Sequence, residues 1–346
     1  MSAAPRIPAG AELPPLVIAN PAARSGRTHL EIEATALRER IGPVDLALTR
    51  HAGHATTLAR GAVAEGRRLV ISVGGDGVMS EVVDGLLTPK GPAPRSSEPG
   101  APASFQAQAL STPALGIVAA GTGGDFRRSL GLGPGRDAYV GAIAAGRERL
   151  VDVARACFVG HDGCGVRRHV VNVLSAGIGG LVDRYTAAMP AAVPGRLAYG
   201  GAALAAVVAC RRRRLLCRAT LADGRSVERR LWSHAVVVAN GHTFGGGMRV
   251  APDARVDDGL LDVVVLEPPT RLTLLHYFLS IYRGEHLTKP GVSTFRCTRV
   301  ELLPWDEERP AGAPRRDLFP LDVDGDALGD IPLSVEVLPA RLRVLA

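Results

Sequence analysis

Little in this 346-residue chain points to a metal-stapled or disulfide-stapled scaffold. Its five cysteines (Cys157, Cys164, Cys210, Cys217, Cys297) are odd in number, irregular in spacing and without a CxxC pair, which excludes a disulfide framework and fits a reducing compartment. No stretch approaches the roughly 20 apolar residues of a membrane span, and the opening MSAAPRIPAGAELPP has no apolar core for a signal peptide. The sequence therefore predicts a cytoplasmic protein. GxxxxGKS/T is absent, and GxGxxG does not follow the first apolar run, which argues against an ordinary Walker-type ATPase and a Rossmann dehydrogenase. The two tryptophans, Trp232 and Trp305, read as core or surface anchors rather than ligand stacks. No internal repeat stands out, and nucleic acid is not an expected partner.

What is present is 46% apolar residues and a formal charge of +7. That length and apolar content suggest two domains, and the positive balance favours anionic partners such as nucleotides or phospholipid headgroups. Residues 1–14 read as a flexible tail. From residue 15, the short apolar runs LVIA, VDLALT and RRLVISV alternate with helical patterns over Thr28 to Arg40 and HATTLARGAVAEG. This alternation predicts a parallel sheet flanked by helices, with ligands at the carboxyl ends of the strands. Residues 88–113, rich in Pro, Ser, Gly and Ala, read as a disordered insertion. ALGIVAAGTGGDF then repeats strand, glycine turn and acid, with a helix starting near Phe126, and this α/β part ends near residue 148. Over 149–346, strand-like runs between turn signals predict a mainly antiparallel β domain. Helices around Leu181 to Arg211 and Arg271 to Tyr282, and a loop insertion at 306–317, interrupt it.

LVISVGGDGVMSEVVDGLL, Leu69 to Leu87, sets a lone acid among glycines at the end of a buried strand. Gly74, Gly75 and Gly77 let the backbone approach a ligand, and successive N–H groups there bind phosphate oxygens. A carboxylate in such a loop repels phosphate unless a divalent cation lies between them, so Asp76 points to a nucleotide with Mg²⁺. The plainer alternative is a tight turn in which Asp76 caps the next helix. His51 and His54 read as helix-capping residues rather than a metal pair. The glycine-rich ANGHTFGGGM, Ala239 to Met248, reads as a cleft rim rather than a second phosphate site. Arg211 to Arg214 admit two readings: an anchor for anionic headgroups, or a solvated helix end facing the C-terminal dipole.

Five ordered motifs, VIANPAARSG, VGGDGVMSEVVDGLL, LGIVAAGTGGDFRRSLGL, APDARVDDGLLDVVVLE and VDGDAL, resemble the catalytic region of the diacylglycerol kinase superfamily. That superfamily includes soluble bacterial diacylglycerol and related lipid kinases, sphingosine kinases and ceramide kinases. The resemblance spans about Leu16 to Leu345. It implies an α/β domain like those of 6-phosphofructokinases and NAD kinases, followed by a β-sandwich domain, with ATP and Mg²⁺ in the cleft. At matching positions, Asn20, Ser25, Gly26 and Thr49 are implied as nucleotide contacts. Gly74, Gly75, Asp76 and Gly77 are implied as the phosphate- and Mg²⁺-organising turn, with Glu81 completing its motif. Gly121, Thr122 and Asp125 are the implied second turn. Asp324 matches the general base that acts on the lipid hydroxyl, and Asp326, implied on the nucleotide side, stands where the family more often has Glu. Asp258, with the carbonyls of Arg255 and Leu260, matches a loop that holds a structural Mg²⁺ in some bacterial members.

The implied activity is transfer of the ATP γ-phosphate to a hydroxyl of diacylglycerol or a sphingoid-like lipid. The enzyme would be cytoplasmic, peripheral at the inner membrane surface, with a homodimer as a further expected partner. Two departures qualify it. GTGGD carries Gly124 where the family's GTxND has Asn, leaving any role of that side chain to backbone or water, and Val78 stands where many bacterial members have Thr. The competing readings are a kinase of the NAD-kinase type acting on a soluble substrate, and a non-catalytic nucleotide- or lipid-binding regulator with the same fold.

Overall fold

A computed structural model describes residues 13–21, 26–88, 109–120, 123–189, 195–268, 270–305 and 319–346. In the first half, β1 (Leu16–Ala19), β2 (Asp45–Leu48), β3 (Leu69–Gly74) and β4 (Ala114–Ala119) pair in parallel in the order β2-β1-β3-β4. The inner strands read as unbroken apolar runs because both faces are covered. Leu16, Ile18 and Val70 join one apolar cluster with Ala55, Ala59 and Ala62 of α2 (His54–Ala64) and Val82, Val83 and Leu86 of α3 (Asp76–Leu87). Val17, Ala19, Ile71 and Val73 join another with Leu30 and Leu37 of α1 (Gly26–Ile41). After the short α4 (Asp125–Ser129), α5 (Arg136–Ala145) adds Tyr139, Val140 and Ile143 to that second face. The chain runs outward from β1 to β2 and returns through β3 to β4. That reversal leaves a crevice at the carboxyl ends of β1 and β3, where α/β sheets bind ligands.

The second half is antiparallel, as the spacing of short runs predicts. Its strands are β5 (Glu148–Gly160), β6 (Gly165–Val170), β7 (Val173–Gly177), β8 (Arg213–Leu221), β9 (Ser226–Ser233), β10 (Ala235–Ala239), β11 (Leu261–Leu266), β12 (Val292–Pro304), β13 (Pro320–Val323) and β14 (Asp326–Leu345). The run RSVERRLWSHAVVVANG is two strands, β9 and β10, separated at His234. In β10 the alternation is between two cores. Val236 and Val238 face the sandwich interior, while Ala235, Val237 and Ala239 face a cluster built with α6 (Ile178–Ala187), α7 (Gly195–Ala209) and α8 (Arg271–Ile281). Each fully buried valine in such a strand contributes roughly 1.5–3 kcal/mol.

A boundary at residue 148 does not separate the halves cleanly. Val151, Val153, Leu342 and Val344 pack in the α/β core, and Val344 pairs with Leu115, so β5 and β14 serve both halves. Of the insertion read at 88–113, residues 89–108 lie outside the described residues. Its ends are ordered: Thr88 closes α3, Ala109 is buried, and Arg343 donates to the Thr112 carbonyl at 2.6 Å. The insertion at 306–317 and residues 1–12 of the tail also fall outside the described residues.

Candidate active site

Strand register builds the first part of the site. Ala19 lies beside Leu48 and Val73, and Gly74 beside Ala119, so Asn20, Thr49, Gly75 and Ala120 emerge along one carboxyl edge. Thr49 is buried there and its N–H donates to the Ala19 carbonyl at 2.8 Å. Gly26 opens α1, while Ser25, Gly121 and Thr122 lie outside the described residues.

Asp76 is the first residue of α3, where the helix dipole favours an anion. Its Oδ2 accepts the N–H groups of Gly124 at 2.8 Å and Asp125 at 3.3 Å, so the first glycine turn grips the second. A Cβ at Gly123 would collide with that same oxygen. Gly124 is left-handed, φ 62°, a conformation that glycine adopts without strain. Asp125 in turn accepts from Arg128 at 2.7 Å and from the Gly246 N–H at 2.7 Å. The ANGHTFGGGM loop is thus tied to the second turn and forms a rim of the cleft. Burial, with Asp125 close by, pushes the Asp76 carboxyl above its usual range against the pull of the backbone N–H groups.

The sandwich supplies the opposing wall. Asp324, left-handed at φ 51° in the turn between β13 and β14, points into the gap between β6 and β7. Its Oδ1 accepts from the N–H groups of Asn172 and Val173, and its Oδ2 from Val171 N–H at 3.0 Å and the Ser80 hydroxyl at 3.3 Å. Burial nevertheless raises it to about 6. Asp322 precedes it by two residues, and its carboxyl is hydrogen-bonded to that of Asp183 on α6. Two adjacent buried carboxyls cannot both ionise, so they share a proton. Burial lifts Asp183 to about 6 and Asp322 further. Asp183 Oδ2 is buried without a hydrogen-bond partner. Asp326 lies near Gly77, and burial raises its carboxyl while Arg168 eases the shift.

These groups line one cavity of about 760 Å³. Its polar lining is Asp76, Asp125, Arg128, Asp183, Asp322 and Asp324, and its aromatic lining is Tyr199, Phe244, Phe278 and Tyr282. Beyond Tyr199, Phe244 and Phe278 an apolar crevice continues between Val182, Met248, Leu274 and Ile281, with only about 30 Å³ of free space.

Other expected residues have different employment. Glu81 spends both carboxylate oxygens on the N-terminus of α2, accepting from Gly53 N–H at 2.8 Å and Ala55 N–H at 3.1 Å. Neither histidine caps that helix: His54 Nδ1 accepts from Arg50 N–H, and His51 stacks on His54 at 5.1 Å. Asp258 accepts from the Leu260 N–H at 3.1 Å and is ion-paired with Arg296. Arg255 turns its side chain to Asp257 at 3.6 Å. A guanidinium already neutralises Asp258, so this loop as it stands does not fit a divalent cation.

Among the described residues, no three His, Cys, Asp or Glu side chains form a ready-made metal cage. Asp76 fits Mg²⁺ held jointly with phosphates, which uses one or two carboxylates rather than a full protein shell, whereas Asp125 is already paired with Arg128 and would join only if that guanidinium gave way. The repulsion between Asp76 and Asp125, which helps to raise Asp76, is what a cation would relieve.

The sequence matches two family patterns: residues 14–156 match the diacylglycerol kinase catalytic domain, and residues 172–346 match the YegS C-terminal NAD kinase beta sandwich-like domain. The chain belongs to the diacylglycerol kinase family. A diacylglycerol kinase of Mycobacterium tuberculosis (strain ATCC 25618 / H37Rv) is 28% identical over 290 residues, covering 83% of this chain and 80% of the relative. One of Bacillus subtilis (strain 168) is 26% identical over 259 residues, 73% of each chain. The crystal structure of a diacylglycerol kinase from Bacillus anthracis str. Sterne shares the fold, with a TM-score of 0.62 at 19% identity over 96% of both chains.

Within this family fold, several site residues escape a reading of the sequence. Asp322 carries a faint signal, an acid inside the apolar run of β13 and two residues before Asp324. Asp183, Asn172 and Ser80 carry none, since their neighbours in space are far away in sequence.

Proposed function

We propose that this protein is an ATP- and Mg²⁺-dependent lipid kinase that transfers the γ-phosphate to a hydroxyl of diacylglycerol or a sphingoid-like lipid. One observation carries the reading: a cavity whose acidic lining includes Asp76, which joins two glycine turns, and whose aromatic lining of Tyr199, Phe244 and Phe278 it shares with an adjoining apolar crevice. A nucleotide suits the first and an acyl chain the second. The crevice is too narrow for a chain as found, so entry requires Tyr199, Phe244 and Phe278 to shift.

Phosphoryl transfer asks the protein to align donor and acceptor and to neutralise charge. The N–H groups of the first glycine turn and the N-terminus of α3 face the phosphate end. Bound Mg²⁺ would neutralise the phosphate oxygens beside Asp76 and Asp125. Asp324, on the cavity wall, would accept the proton of the acceptor hydroxyl. Its 3.3 Å bond from Ser80 is the longest of its four, and an incoming hydroxyl would replace that one. Such a base contributes about 10²- to 10⁴-fold.

The decisive experiment measures transfer from γ-labelled ATP into diacylglycerol, monoacylglycerol, sphingosine, ceramide and phosphatidylglycerol in mixed micelles with Mg²⁺, for wild type, Asp76→Asn and Asp324→Asn. Labelled lipid that falls at least about 100-fold in both variants is expected. Label in a soluble nucleotide product, or nucleotide binding without turnover on any lipid, would refute it.

A further inference from the structure

α7 and α8 lie antiparallel on one face of the sheet. Both pack into a single apolar cluster, through Ala202, Ala206 and Val207 on α7 and Leu274 and Ile281 on α8. Arg271 Nε at the start of α8 donates to the Cys210 carbonyl just past the end of α7 at 3.0 Å. At the opposite ends, Tyr199 and Gly200 on one side and Tyr282 on the other border the cavity. Two helices laid on the same sheet face turn their outer faces the same way, so those faces form one surface beside the cavity mouth.

The composition of that surface is unusual for a protein exterior. Among the described positions of α7, the exposed ones are Gly200, Gly201, Leu204, Ala205, Val208 and Ala209, none with a polar side chain. Leu204 is 53% exposed and Val208 62%. On α8, Leu272 is 81% exposed and Leu279 69%, with exposed His276 between them and exposed Arg271 at the start of the helix. Isolated exposed apolar residues are ordinary, whereas a contiguous set marks a contact surface. At the α7 end the surface runs into arginine: Arg211 is exposed, and Arg212 stacks at 4.1 Å on Trp232, itself 54% exposed. Arg230 and Arg214 lie over Trp305 at 4.5 and 5.9 Å. No acidic residue occurs from 195 to 222 or from 268 to 284. Glu267, next to the patch, accepts the Trp232 N–H at 2.8 Å. The local field is positive enough that Arg212 and Arg271, after burial, help to hold His234 down at about 4.

We infer that the outer faces of α7 and α8, with Arg211, Arg212 and Trp232, dock the protein on an anionic bilayer, apolar residues entering the headgroup boundary and arginines meeting acidic lipids. This rests on the lipid-kinase reading for its purpose but not for its geometry. A second copy is disfavoured: a two-fold contact sets the same patch against itself, arginine opposite arginine. A soluble partner seated here would cover the mouth of the cavity, whereas a bilayer is itself the source of an acyl-chain substrate. Apolar residues with a basic, tryptophan-bearing flank are the composition that lies in a membrane interface.

The test is pelleting of the full chain with phosphatidylcholine vesicles, alone or with added phosphatidylglycerol, and it needs neither ATP nor turnover. Wild type is expected to pellet with the anionic vesicles and to be released by salt. Leu204→Glu/Leu272→Glu and Arg211→Glu each should lower the partition about tenfold. Both should keep wild-type thermal stability and wild-type phosphate transfer to a short-chain diacylglycerol dissolved as monomer. Equal pelleting of wild type and variants would overturn the assignment, as would a wild type that ignores anionic vesicles. A wild-type dimer that Leu204→Glu/Leu272→Glu converts to monomer would assign the face to a second copy instead. Loss of transfer with pelleting intact would sink only the kinase reading.

Discussion

Asp76 Oδ2 accepts the Gly124 N–H at 2.8 Å, binding the first glycine turn to the second. The donor is backbone, so the side chain at position 124 is dispensable for this link. Asn tolerates the left-handed conformation better than most residues, and its Cβ would meet only the flexible Arg127 side chain, at 2.9 Å. Gly124→Asn is expected to fold and to bind nucleotide within about threefold of wild type, whereas Asp76→Ala should lose at least tenfold in affinity. Titration calorimetry with ATP and Mg²⁺ checks both.

Glu81 acts as a helix cap supplied from another helix. Glu81→Ala removes the acceptor of Gly53 and Ala55 N–H and should cost about 1 kcal/mol of stability. Nucleotide affinity measured well below the melting range should hardly change. A large loss of affinity at unchanged stability would mean that this carboxylate touches the ligand.

Asp183 and Asp322 fix the sign of a pH effect. Burial raises both carboxyls above their unfolded values, so between about pH 4 and their folded values the native state holds more protons than the unfolded chain. Stability is therefore expected to fall as pH rises through 6. Asp183→Asn keeps a donor for Asp322 and removes one charge, so its melting temperature should exceed that of wild type at pH 8 and vary less with pH. Melts from pH 5 to 8 without divalent cations test this.

Arg296 bears on metal dependence. Because its guanidinium holds Asp258 and lies 3.7 Å from Asp262, chelation should leave the melting temperature unchanged. Arg296→Ala leaves these acids facing one another. That variant should melt lower than wild type and recover in part when Mg²⁺ is added. A wild type destabilised by chelator would show that the loop takes metal despite the arginine.

The legible part of the fold was the part fixed by near neighbours in sequence. β1 and β3 follow from short apolar runs ending in glycine or turn residues, and α3 follows from the amphipathic pattern after Gly77. That β5 and β14 enter two cores is not legible, because apolar alternation looks the same in each. His234 shows the same limit, since a single residue breaks a run whose composition never changes.

By itself, the sequence determined the family, the order of elements and the two glycine turns with Asp76 and Asp125, because these depend on periodicity and on motifs a few residues long. Only the tertiary structure decided what each charge meets. Glu81 meets a helix end, Asp258 an arginine, Asp322 another carboxyl from α6, and Leu204, Val208, Leu272 and Leu279 on α7 and α8 stay exposed. A carboxylate's role is set by the donors, charges and solvent around it, and the strands and helices that bring those together are distant in the chain.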